Sequence, residues 1–342
     1  MNRLSVRLTI FLVGLSAIAG AQASRPGAPT ATVVTDTKAA AEAESLARTL
    51  SKDMVYLESE NFTWCMALPK DQTKAIIDTG ESVYRQFAKD AGLLNWSEMV
   101  PGQRPMVVLT PTKSEFDMFS EWYAETYPVY DKKKFVDAKK KTDWYAAVAS
   151  RAMLAGHVKP LDGEFLKMTV AHLVGHLVVQ RHAYNNNFVP AWLDEGVAAY
   201  YEAKVAGRVG IHCFSLTRDR QRPHTSEKVT SRGATLMNFH SKLKKDLAKP
   251  DALSLQMMWQ PSLSDMTLVE LTQGYAVVSW MASQPGKLPL FIKTLKRLWP
   301  TDVTPEYTSG KGRAQEKALQ EVFNLEISEV ELAGREYVQK KL

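Results

Sequence analysis

The chain has 342 residues, 45% of them hydrophobic and 23% charged, with a net charge of +6 and two cysteines. That length is enough to bury a full core, and two cysteines are too few for a disulfide-built scaffold or a cysteine-rich metal site. Beyond Ala23 no apolar run reaches the roughly 18 residues that mark a membrane-spanning helix, so the body of the chain is expected to work in water, with no membrane contact.

Arg3 and Arg7 precede an apolar run from Leu8 to about Gly20, and Ala21-Gln22-Ala23 follows it. This is the pattern of a cleavable secretory signal, assigned here to residues 1–23. A secreted or bacterial periplasmic location is therefore expected. Loss of Arg3 and Arg7 would lower the net charge from +6 to +4. Residues 24–37 are rich in Ala, Thr and Pro and read as a flexible leader. In an oxidising compartment Cys65 and Cys213 are free to pair, although sequence cannot bring them into contact.

From Lys38 to about Leu50 an alanine-rich segment predicts a helix, and Glu58 to Met66 holds β-formers in a strand-like run. Pro69 and Asp71 open a helix in which Ile76, Ile77, Val83, Tyr84 and Phe87 recur at helical spacing. Pro105 to Leu109 reads as a short buried strand. Thr112 or Ser114 is placed to cap a further helix carrying Phe116, Phe119 and Tyr123. Residues 38–150 are thus an α+β part with a small mixed sheet, and residues 151–342 a mainly helical part.

Lysines gather at Lys132 to Lys134 and Lys139 to Lys141, with Phe135, Trp144 and Tyr145 nearby. Asp131, Asp137 and Asp143 interleave with them, which favours a solvated face over a nucleic-acid surface.

Chemistry concentrates in TVAHLVGHLVVQRHAYNNNFVPAWLDEGVAAYYE, residues 169–202. His172 and His176 are four apart, so a helix presents both imidazoles on one face, as two ligands of a single zinc ion require. The polar stretch from Arg181 to Asn187 ends that helix, and Pro190 is suited to start the next. Glu195 then falls in the first turns of a returning helix and supplies a third ligand, leaving one coordination position open. A lone HxxxH pair also arises by chance, as two packed core histidines. Here the Trp192-Leu193-Asp194-Glu195-Gly196 context weighs against coincidence.

This segment resembles the active-site region of the gluzincin metallopeptidases, in which H-E-x-x-H is followed after 18 residues by the Glu of W-L-x-E-G. His176 and Glu195 are separated by the same 18 residues. The resemblance is closest to peptidase-MA-like exported bacterial proteins and covers about residues 55–342. It implies a zincin domain, zinc held by His172, His176 and Glu195, and peptide or protein bound in a cleft at the zinc site. It also makes Tyr275 a candidate for the tyrosine that stabilises an oxyanion, though a core tyrosine in an amphipathic helix fits the same pattern.

One position departs from the family. The residue after the first histidine, a glutamate that polarises water in active members, is Leu173. Leucine accepts no proton, and general acid–base assistance is worth roughly 10²–10⁴ in rate. Three readings follow: a zinc-binding pseudo-peptidase that binds peptide or protein, an active enzyme using another base such as Glu164, Asp194 or Glu202, and a metal-free exported scaffold.

Overall fold

The computed structural model describes residues 37–51, 53–91, 104–127, 129, 131–141, 144–147, 153–158, 163–183, 189–209, 234–249, 252, 255, 268–299 and 307–342. The signal segment, the leader up to residue 36, His212 and Cys213 lie outside the described residues, as do the side chains of Arg181 and His182.

The chain is α+β. A five-stranded mixed sheet is built by β1 (Val55–Glu58), β2 (Thr63–Met66), β3 (Met106–Thr110), β4 (Trp144–Ala147) and β5 (Met153–His157), in the order β1-β2-β3-β5-β4. The central pairs β2–β3 and β3–β5 are parallel, and both outer strands are antiparallel. Strand alternation divides the side chains between two layers. Cys65, Met106, Val108, Met153 and Ala155 meet α1 (Thr37–Leu50) and α3 (Lys113–Thr126) in one apolar cluster. Trp64, Met66, Val107, Leu109 and Leu154 meet α2 (Lys70–Ala91) and α5 (Gly163–Ala183) in another.

Local signals act where the sequence puts them. Thr112 caps α3 through a capping box with Glu115. Asp131 caps the short helix α4 (Lys132–Lys140), accepting from the Lys134 backbone N–H at 2.9 Å. Lys132, Lys133, Lys134 and Lys140 pair with Glu125, Asp137, Asp131 and Glu121, so these four charges are balanced by neighbours. Strands β4 and β5 carry no clear alternation in sequence; Trp144 stacks over Gly156, where any Cβ would meet the indole at 2.0 Å. Cys65 is buried, its Sγ 3.2 Å from the carbonyl oxygen of Ala43.

After the sheet the described chain is almost wholly helical: α5, α6 (Ala191–Ala206), α7 (Leu236–Leu247), α8 (Leu268–Ala282), α9 (Lys287–Leu298), α10 (Tyr307–Phe323) and α11 (Ile327–Lys341), with a two-stranded ladder of β6 (Arg208–Val209) and β7 (Ala234–Thr235). The larger apolar cluster runs from Phe62 through α2, α5 and α6 to Val330, so sheet and helices share one core. No helix among the described residues is long and apolar enough to cross a membrane.

Candidate metal centre

Helices α5 and α6 face each other across almost no gap. A Cβ on Gly175 would lie 2.7 Å from the Ala198 Cα, and one on Gly196 would lie 2.7 Å from the carbonyl oxygen of Gly274 in α8. Hydrogen atoms in place of side chains at these two points let α6 wedge between α5 and α8. Pro190 starts α6, its carbonyl accepting from the backbone of Leu193 and Asp194 at 3.0 Å. Trp192 fixes the far side, its indole N–H donating to Gln315 Oε1 in α10 at 2.8 Å.

This packing brings His172, His176 and Glu195 together, with exposures of 0%, 2% and 2%. The two Nε2 atoms are 3.1 Å apart. Glu195 stands opposite both: Oε2 is 3.4 Å from His172 Nε2, and Oε1 is 3.4 Å from His176 Nε2. One ligand atom from each residue fits within a span of 4.8 Å, a buried group that could hold a metal ion.

The other ring nitrogens face carboxylates that sequence reasoning did not assign. His172 Nδ1 is 3.0 Å from Glu202 Oε2, with both side chains fully buried. His176 Nδ1 is 2.8 Å from Asp194 Oδ1, off the ideal hydrogen-bonding direction, and Gln180 donates to the second oxygen of Asp194 at 2.8 Å. A carboxylate only accepts, so His172 donates from Nδ1 to Glu202 and its neutral ring presents the Nε2 lone pair inward; His176 takes the same orientation when its proton faces Asp194. Two lone pairs and a carboxylate then converge. The two ring nitrogens, each at 3.4 Å, are the polar neighbours of the Glu195 oxygens. Burial opposes the charge on Glu195, but when the rings of His176 and His172 are protonated their positive charge and hydrogen bonds outweigh it and hold this carboxyl well below the usual carboxylate range. The donor set fits a divalent cation with carboxylate–histidine outer partners.

No protein-family model matches the chain, and no curated protein matches it either.

Leu173 is 2% exposed and belongs to the apolar cluster with Val170, Val174 and Leu177. Of the substitute bases considered from sequence, Glu164 sits at the surface with Lys167 at 2.7 Å, while Asp194 and Glu202 are engaged on the outer side of the histidines. Tyr275 is not one of the converging groups. Its hydroxyl is 2.9 Å from His240 Nε2 of α7, and its ring packs edge-on against Phe239. Burial pushes the phenol up to about 12; Ser279 opposes the shift, and Tyr337, Tyr200 and Glu202 add to it.

Signals for the outer partners existed in the sequence. Glu202 lies seven residues, two turns, beyond Glu195 and so on the same face of α6. Gln180 continues the His172–His176 spacing by another four.

Proposed function

We propose that this protein is an exported, gluzincin-like zinc-binding protein that has lost peptidase chemistry and acts by binding peptide or protein. The observation that carries the reading is the convergence of His172 Nε2, His176 Nε2 and the Glu195 carboxylate beside a buried Leu173. Donors 2.0–2.1 Å from one tetrahedral ion stand about 3.3 Å apart. The separations here, 3.1 Å between ring nitrogens and 3.4 Å from each to its nearest carboxylate oxygen, are of that size. A cation would satisfy both ring nitrogens and the carboxylate at once, which favours metal binding over the metal-free scaffold.

When bound, zinc supplies Lewis acidity; the chain supplies the ligands and, through Glu202 and Asp194, their orientation. Among the described residues it supplies no general base beside them. Leu173 takes that position, and the nearest carboxylates are turned to the outer ring nitrogens. Binding without turnover is the function left to such a protein.

The test is metal analysis of purified protein beside His172→Ala, combined with a broad peptide screen with and without chelator. One zinc per chain in the wild type, none in the variant and no chelator-sensitive cleavage are expected. Zinc no higher than in the variant would remove the metal half of the reading, and chelator-sensitive cleavage the binding half.

A further inference from the structure

We propose that the His172–His176–Glu195 centre is an internal clasp, where a bound divalent ion ties α5 to α6 and is closed to ligands from solution. The inference rests on the metal-binding half of the reading above and goes beyond it by assigning the ion a mechanical role, with any peptide or protein bound away from the ion. A metal that takes substrate needs donors opening on a cleft. Here the three donors are 0%, 2% and 2% exposed, and Glu202 behind them is fully buried.

The ligands are divided between the two helices. His172 and His176 belong to α5, and Glu195 to α6; the outer partners Glu202 and Asp194 belong to α6 as well. Apart from the contact between the two histidines, every polar link described in the centre crosses the same seam. Each link pairs an earlier residue of α5 with a later one of α6, His172 with Glu202 and His176 with Asp194, as two helices running in opposite directions require. At the level of the histidines the backbones are nearly in contact, since even a methyl group on Gly175 would strike Ala198. Leu173, Val174, Leu177 and Val197 belong to the large apolar cluster around these helices.

Three carboxylates and two imidazoles at one apolar helix interface are costly to bury unless compensated. A divalent ion held by both helices offsets that cost only while they stay together. It thereby couples ion binding to the association of α5 with α6 and, through α8 behind Gly196, to the closure of the helical part.

Cobalt(II), loaded into the metal-free full-length protein, serves as the probe because its visible absorption reports any change of ligand. The expected result is one cobalt per chain, with a spectrum that azide and acetohydroxamate leave unchanged. Removal of cobalt by excess chelator should speed up across a urea series in parallel with unfolding followed by circular dichroism. A spectral change on adding either small ligand, or chelator removal faster than unfolding in native buffer, would overturn the clasp while leaving metal binding intact. Failure to take up cobalt or zinc at all would overturn the metal-binding reading, and the clasp with it.

Discussion

Nδ1 of His172 stands 3.0 Å from Oε2 of Glu202, and neither side chain has any exposure to solvent. The contact fixes the ring's orientation and sends its other nitrogen toward His176 and Glu195. Glu202→Gln keeps the size of the side chain but weakens it as an acceptor. Metal affinity is expected to fall about 10–100-fold, the usual range for lost outer partners of a ligating histidine. Competition with a chromophoric chelator measures it. Unchanged affinity would show that the seam alone positions His172. Asp194→Asn should have a smaller effect, because Asp194 meets His176 off the hydrogen-bonding direction and is partly exposed.

Gly196→Ala should act on the same centre through packing. The added methyl would sit 2.7 Å from the Gly274 carbonyl oxygen and 2.8 Å from Val278 Cγ2, so α6 must move away from α8. Overpacking of this kind costs about 1–3 kcal/mol. Since Glu195 precedes Gly196, metal affinity should fall along with the melting temperature. A variant that loses stability while keeping full affinity would show that α6 yields without displacing its carboxylate.

The converging group was legible in the sequence because helical spacing and an 18-residue gap are local quantities: His172, His176 and Glu195 need only two helices and a turn. The α2 helix, the strand at Met106 and the Thr112 cap were legible for the same reason. The partners of the histidines were not, because they depend on how α6 crosses α5. Asp194 points about 100° from Glu195 on its helix, which argues against a place at the metal. That same angle lets it reach around to His176 Nδ1. Strands β4 and β5 were missed because their short runs carry no period, and their pairing is decided by neighbours distant in sequence, with Met153 beside Met106.

His240 gives a pH dependence whose sign can be worked out. Burial lowers its pKa from 6.5, and the positive charge of Lys244 lowers it further, while Tyr275 contacts its Nε2 atom. The folded chain thus resists protonating a ring that the unfolded chain protonates freely. The corresponding stability is present above about pH 6.5 and is lost as pH falls through the lowered folded value. Denaturant melts of wild type and His240→Gln at pH 7.5 and 5.5 isolate this contribution from that of the other histidines. The wild type should lose more stability than the variant over that interval. Equal losses would mean that the folded ring titrates normally.

Leu173→Glu restores the residue type that active gluzincin-like sites carry, yet it is expected to restore no peptidase activity. Leu173 is 2% exposed and packs in the apolar cluster with Val170, Val174 and Leu177. A carboxylate there has no described donor waiting for it. It would be buried uncompensated, at a cost of about 3–5 kcal/mol, or would be driven to the neutral acid, which is no base. Leu173→Gln, an uncharged polar control, should be less destabilised, because only an amide needs to be accommodated. Melting temperatures of the zinc-loaded variants, read beside a peptide screen, decide the matter. A Leu173→Glu protein as stable as the wild type and active on peptides would show that Leu173 faces a reaction cleft, which its burial argues against.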